Sequence, residues 1–325
     1  MNRDSHQRGI DYLRISITDR CNERCLYCMP EGFREWRSRS AILSYEEILE
    51  VVRVATGLEF RRFRVTGGEP LVRKDVGEFL SRLCRLPGVD NVGLSTNGAR
   101  LAPMARVIAN SGVRSVNVSL DAIDERLYER ITGGRLRDVL DGLKAIRAAG
   151  IQQVKLNCVL MRGINESQIW PLIEYAAEHQ CPLRFIELMP VSLTQKLNDS
   201  NFFPIREVRE AILERTPMEP DRTRHGCGPA VYYRLPLYQA TVGFIGAMTN
   251  PHFCDGCNKM RLTADGKIRP CLGCHREVDL MTSLRPWLDV DRLRDAMVTA
   301  IRQKPKDHLF HKSYEAQRAM TAIGG

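Results

Sequence analysis

The chain has 325 residues, 43% of them apolar, and a formal net charge of +9, enough for one large α/β domain plus a smaller one. No apolar run suits a signal peptide or approaches the roughly eighteen residues of a membrane span, so the expectation is a cytoplasmic protein with no membrane partner. The basic residues are dispersed, with no Lys/Arg block, so the charge alone fits solvated helix faces slightly better than a polyanion partner.

Short β-branched runs alternate with segments of helical period. LRISIT (13–18), RFRVT (62–66), NVGLST (91–96), SVNVSL (115–120), VKLNCVL (154–160) and LRFIEL (183–188) read as strands. Between them SYEEILEVVRVATG, DVGEFLSRLCRL, LAPMARVIANSG, RLRDVLDGLKAIRAAG and ESQIWPLIEYAAEH read as helices, the first opening on a capping box of Ser44 and Glu47. Six strand–helix units imply a parallel sheet that lies open or curls into a partial or full barrel, with functional groups at the carboxyl ends of its strands. There the sequence places TDRCNERCLYC, GGEP, NG, DA and MP.

From about residue 191 the pattern changes to a polar, turn-rich stretch, a helix (IREVREAILER), a Gly/Pro/Cys-rich region and a basic helical tail. The division expected is 1–190 and 191–325.

The eleven cysteines are clustered in a way that points to metal rather than to disulfides. Cys84, Cys158 and Cys181 stand alone and read as small buried hydrophobes. Cys21, Cys25 and Cys28 sit in one loop as C-x3-C-x2-C. Structural zinc normally takes four protein ligands, whereas three thiolates on a four-iron cluster leave one iron open.

With Tyr27 just before the last cysteine, this motif resembles the signature of the radical S-adenosylmethionine enzymes. The resemblance implies a partial TIM-type β/α barrel of about six strand–helix units, with a smaller C-terminal cluster-binding domain over its mouth. It also implies a 4Fe–4S cluster on Cys21, Cys25 and Cys28, whose open iron chelates S-adenosylmethionine and cleaves it to a 5′-deoxyadenosyl radical. Tyr27, Gly68 and Glu69 of TGGEP, Ser119 and Met189 are the cofactor-binding residues carried over. A Gly-Gly turn also lets backbone approach a ligand closely.

Cys254, Cys257, Cys271 and Cys274 form C-x2-C-x13-C-x2-C, which by spacing alone fits a zinc ribbon. The surrounding CNKMRLTADGKIRPCL, together with LRISITDRCN, FRVTGGEPLVR, LSTNG, NVSLDA, GPAVYYR and GFIGAMTNPHFC, is similar to the GTP 3′,8-cyclases of molybdenum cofactor biosynthesis. That resemblance implies conversion of GTP to 3′,8-cyclo-7,8-dihydro-GTP, and a second 4Fe–4S cluster on Cys254, Cys257 and Cys271 that faces the guanine. It implies substrate contacts from Arg14, Arg64, Ser95, Lys155, Lys259, Met260 and Arg261. Arg14, Gly324 and Gly325 would act in catalysis, the terminal glycines by threading into the active site. Lys259 stands where relatives are expected to carry Arg, replacing a planar fork with a point charge.

A flavodoxin or ferredoxin as electron donor, delivery of product to cyclic pyranopterin monophosphate synthase, and a homodimer are further implications. Nucleic acid is not an expected partner. Cys227 and Cys274 are open positions: a fourth thiolate at Cys274 would close the second cluster, as in a radical S-adenosylmethionine peptide maturase, or Cys274 turns away as a spare. A zinc-stabilised RNA-binding protein is the third reading.

Overall fold

The computed structural model describes residues 3–29, 32–33, 36–194, 197–223, 225–312 and 314–324. Its first half alternates strand and helix: β1 (Tyr12–Ser16), α1 (Tyr45–Gly57), β2 (Arg62–Thr66), α2 (Val76–Cys84), β3 (Asn91–Thr96), α3 (Leu101–Asn110), β4 (Ser115–Ser119), α4 (Glu125–Thr132), α5 (Leu136–Ala148), β5 (Gln153–Leu160), α6 (Ile169–Glu178) and β6 (Leu183–Glu187). The capping box forms: the Ser44 hydroxyl accepts from the Glu47 N–H at 3.1 Å, and the Glu47 carboxylate accepts from the Ser44 N–H at 2.6 Å. The helix it starts buries Ile48, Leu49, Val51, Val52, Val54 and Ala55 against the sheet's outer face. Helix α4 was not expected from the sequence.

Beyond β6 come α7 (Ile205–Leu213), β7 (Glu219–Pro220), β8 (Val231–Leu235), β9 (Ala240–Ile245), β10 (Lys259–Leu262), β11 (Lys267–Arg269), β12 (Val278–Asp279), α8 (Met281–Leu284), α9 (Val290–Arg302) and α10 (Met320–Ile323). These strands extend the same sheet at both edges, in the order β12-β11-β10-β1-β2-β3-β4-β5-β6-β9-β8-β7. β10 pairs parallel with β1 and β9 parallel with β6, so the parallel array runs unbroken from β10 to β9.

This sheet is curled. At about 4.8 Å per strand, β1 and β6 would lie roughly 24 Å apart if flat, yet the Arg184 guanidinium on β6 lowers the pKa of Arg14 on β1, and Tyr12 on β1 and Arg64 on β2 act on Arg184. The fold is an incomplete β/α barrel whose interior face carries polar and charged side chains. Among the described residues no helix is long and apolar enough to cross a membrane.

Candidate active site

Alternation along the strands selects what faces inward. On β1, Leu13 and Ile15 pack in the apolar core, which leaves Tyr12, Arg14 and Ser16 inside; in register beside them stand Arg62, Arg64 and Thr66 on β2, and Lys259 and Arg261 on β10. Lys155 on β5 is in register with Asn117 on β4, which is in register with Ser95 on β3. Arg184 on β6 stands beside Asn157 on β5 and Gly243 on β9.

The result is a set of cations, with Arg64, Lys155 and Arg184 buried and Arg14 and Arg261 half-buried, that repel one another. Burial holds Arg14 down to about 10, with Arg64 and Arg184 lowering it further and Tyr12 opposing. Burial lowers Lys155 to about 8, again with Arg184 and Arg64 contributing, and lowers Arg261 to about 9, with Arg14 adding to the effect. Arg64 is anchored: its Nε donates to the Tyr12 hydroxyl at 2.7 Å, Nη1 to the Leu94 carbonyl at 2.8 Å and Nη2 to Ser115 Oγ at 3.1 Å. Arg184 is only partly satisfied, since its Nε and Nη2 are buried without a hydrogen-bond partner, as are Asn117 Oδ1 and Asn157 Oδ1. Buried donors and acceptors left open around concentrated positive charge call for a polar, anionic ligand.

Two glycines inside strands make room for this cluster. A Cβ on Gly93 would sit 2.5 Å from Arg64 Nη2, and one on Gly243 would sit 2.7 Å from the Tyr232 ring and 3.2 Å from Arg184 Cγ.

At the carboxyl end of the strands, Cys21, Cys25 and Cys28 lie partly exposed in the loop after β1. Burial pushes the Cys21 thiol up to about 12, with Glu69, Glu23 and Cys28 adding to the rise, and Cys25 is raised by its hydrogen bond with Cys28 and by burial. Such thiols ionise only beside a strongly positive centre, which a polynuclear iron site supplies. Among the described residues no three His, Cys, Asp or Glu side chains gather around a single metal ion. The donor set of three thiols on one loop fits an iron–sulfur cluster.

Neighbouring loops hold this one in place. Gly68 N–H donates to the Thr18 carbonyl and Glu69 N–H to the Arg20 carbonyl, both at 2.8 Å. A Cβ on Gly68 would lie 2.4 Å from the Arg20 oxygen, so the glycine pair makes its close approach to the backbone of the cysteine loop. Glu69 is fully buried, and its carboxylate accepts from Leu71 N–H at 2.9 Å, the Thr96 hydroxyl at 2.8 Å and Asn97 N–H at 2.7 Å. Burial raises its pKa to about 7 against those bonds. The Tyr27 hydroxyl donates to Asp121 Oδ2 at 2.7 Å, and Asp121 Oδ1 accepts from Val159 N–H at 2.8 Å, tying the loop to β5. Ser119 ends β4 and Met189 follows β6, both half-buried at this same end.

The second cysteine group is also assembled. Cys254, Cys257 and Cys271 act on one another electrostatically. Burial raises the Cys257 thiol, but Lys304 and Lys259 outweigh it and bring it below its usual value. Lys304 is buried, with Nζ donating to the Lys259 carbonyl at 2.7 Å and the Pro270 carbonyl at 2.8 Å. The donor set and these cations again suit an iron–sulfur centre. Cys274 is 2% exposed, and its thiol donates to the Cys271 carbonyl at 3.6 Å.

Of the other residues singled out, Lys259 donates to Asn258 Oδ1 at 3.0 Å and lies over the Tyr12 ring, 5.5 Å from its centroid. Met260 is fully buried in the apolar core on the face of β10 opposite Lys259 and Arg261. Gly324 has φ +77°, its carbonyl accepts from Arg261 Nη1, and a Cβ there would meet Ser16 at 2.9 Å and Thr66 at 3.0 Å. The chain thus returns to the ends of β1 and β2. Gly325 lies outside the described residues. Sequence reasoning missed Arg184, Asn117 and Asn157; Gly243, a glycine inside a β-branched strand, is the signal that marks Arg184.

Residues 15–176 match the Radical SAM superfamily and residues 181–310 the Molybdenum Cofactor Synthesis C family. The class defined is therefore that of radical S-adenosylmethionine enzymes, which work with a 4Fe–4S cluster and S-adenosylmethionine. The chain is 42% identical over 324 residues to the GTP 3′,8-cyclase of Pelotomaculum thermopropionicum, covering 99% of each. It is 40% identical over 325 residues to that of Thermodesulfovibrio yellowstonii, covering 99% of this chain and 100% of the relative. It belongs to the GTP 3′,8-cyclase family. Among solved structures, Streptococcus suis SuiB bound to S-adenosylmethionine superposes with a TM-score of 0.66 at 17% identity, over 91% of this chain and 68% of that one, and shares the fold.

Proposed function

We propose that this protein converts GTP to 3′,8-cyclo-7,8-dihydro-GTP, with residues 1–190 forming the radical S-adenosylmethionine partial barrel and 191–325 a C-terminal domain that carries the second iron–sulfur cluster and the Gly-Gly tail. The observation that carries this reading is the inward set Arg14, Arg64, Lys155, Arg184 and Arg261, whose strongest electrostatic neighbours include one another. Such a set favours a multiply charged anion among its members, and a triphosphate meets that preference from several strands at once.

Cys21, Cys25 and Cys28 would hold the first cluster, and Tyr27, Gly68, Glu69, Ser119 and Met189 would line the S-adenosylmethionine site. Gly68 and Glu69 act by fixing the cysteine loop, through the two backbone bonds to residues 18 and 20. When bound, these groups supply a carbon radical able to abstract hydrogen from the ribose.

The chain's own residues do the rest. Arg14, Arg64, Lys155 and Arg184 hold the triphosphate so that the ribose faces the cysteine loop, while Ser95, Lys259, the Met260 backbone and Arg261 border the base. This positioning brings C3′ and C8 together, an effect that removes much of the barrier to ring closure. Cys254, Cys257 and Cys271 would hold a second cluster near guanine, with Cys274 a spare thiol. Gly324 and Gly325 would act in catalysis by reaching into the active site. A flavodoxin- or ferredoxin-type donor, a homodimer, a cytoplasmic location and hand-over of product to cyclic pyranopterin monophosphate synthase belong to the same reading.

The test is anaerobic incubation of reconstituted protein with reductant, S-adenosylmethionine and GTP. Consumption of GTP with matching formation of 5′-deoxyadenosine supports the assignment, and unconsumed GTP beside active S-adenosylmethionine cleavage removes it.

A further inference from the structure

Arg318 lies two residues before α10, the single helical turn that ends at Ile323, just before Gly324. Its Nη1 donates to both Glu277 oxygens at 2.8 and 2.9 Å, and its Nη2 donates to Asp265 Oδ1 at 2.6 Å. Neither carboxylate belongs to it alone. Glu277 also accepts from Arg269 Nη1 at 2.9 Å, and Arg269 in turn donates from Nη2 to the Cys274 carbonyl. Asp265 pairs through Oδ2 with Arg37 at 3.2 Å, and the Arg37 N–H donates to Asp19 Oδ2 at 2.8 Å.

Arg318 is therefore the point where the tail meets one chain of ion pairs running to the second cysteine loop and another running to the start of the first. The side chains of Asp265, Glu277, Arg269 and Arg318 are 3 to 15% exposed, where such bonds are strongly orienting. From Arg318 to Gly324 the path is short and stiff: Ala319, Thr321 and Ile323 are buried, and Gly324 N–H donates to the Met320 carbonyl at 3.1 Å.

We propose that Arg318 is a positioning residue that fixes Gly324 beside the ends of β1 and β2 by docking the tail onto Glu277 and Asp265. The proposal rests on the reading that this tail belongs to the active site. The guanidinium fork matters because its two arms bridge two carboxylates and so set direction as well as attraction, which a point charge does not.

The test uses the reconstituted full-length chain as wild type, Arg318→Gln, Arg318→Lys and a form lacking Gly324 and Gly325. Iron content, amide hydrogen exchange over 319–324 and kcat/KM for GTP are measured on each. The expectation is that Arg318→Gln keeps wild-type iron, exchanges the tail amides faster and loses about ten- to a hundredfold in kcat/KM, with Arg318→Lys recovering part of both. Unchanged exchange in Arg318→Gln, whatever its turnover, overturns the anchor. A truncated form that turns over as fast as the full chain removes the tail from the active site instead, and the exchange result still decides whether Arg318 anchors it.

Discussion

Replacing Lys155 with Met removes one cation from the barrel interior while keeping its aliphatic volume. Lys155 is 6% exposed and sits with Arg64 and Arg184 among its electrostatic neighbours. A charge-assisted hydrogen bond to phosphate contributes about 1.5–3 kcal/mol, so Lys155→Met should weaken GTP binding by roughly ten- to a hundred-and-fiftyfold and leave guanosine binding nearly unchanged. A pH signature accompanies the loss. Free Lys155 is lowered to about 8, beneath Arg261 at about 9 and Arg14 at about 10, so it is the first of the three to lose its proton as pH rises. A bound triphosphate stabilises the protonated form, so binding above that pH must recover a proton. The wild-type dissociation constant should therefore rise above pH 8 by up to about tenfold per unit, while that of Lys155→Met rises less steeply there, keeping only the response of the neighbouring arginines. Anaerobic equilibrium dialysis with labelled GTP at pH 7, 8 and 9 measures both. A variant that binds GTP as tightly as wild type at pH 7, or keeps the same slope, would refute the assignment of this lysine to the phosphates.

Three further outcomes follow from particular contacts. Gly68→Ala forces a methyl against the Arg20 carbonyl, where the space is 2.4 Å; because backbone must move, the cost is about 1–3 kcal/mol and the Cys21 loop shifts, seen as loss of iron from the first site with the second retained. Removing Gly324 and Gly325 should cripple turnover while iron and sulfide content stay at wild-type levels. Cys274→Ser should retain the second cluster and full turnover, and loss of that cluster's electron paramagnetic resonance signal would make Cys274 a ligand.

The six strands of the first half were legible because each is a compact β-branched run followed by a helical period, and the polar residues at their ends marked the site. The strands β8 to β11 were not, since they lie in a Gly/Pro/Cys-rich stretch without a clear alternating period; β8 with β9 and β10 with β11 pair as neighbouring antiparallel strands, and only β9 and β10 also pair with distant chain, against β6 and β1. Helix α4 escaped notice because its eight residues bury only Leu127, Tyr128, Ile131 and Thr132, too short a stripe to show a period. The cysteine groups were legible from spacing, but their surroundings were not. Glu69 in TGGEP reads as a ligand contact in the sequence, while in the structure its oxygens join the loops after β2 and β3. Met260 lies between two inward cations, and only strand alternation shows that its side chain points into the core.

The central claim is that the inward cations hold GTP with its ribose C3′ toward the Cys21, Cys25 and Cys28 loop. GTP carrying deuterium at C3′, incubated anaerobically with the reconstituted protein, reductant and S-adenosylmethionine, tests it directly by mass spectrometry of the 5′-deoxyadenosine formed. The account predicts one deuterium transferred for each GTP consumed; 5′-deoxyadenosine that forms at the same rate without GTP, or that stays unlabelled, would contradict it.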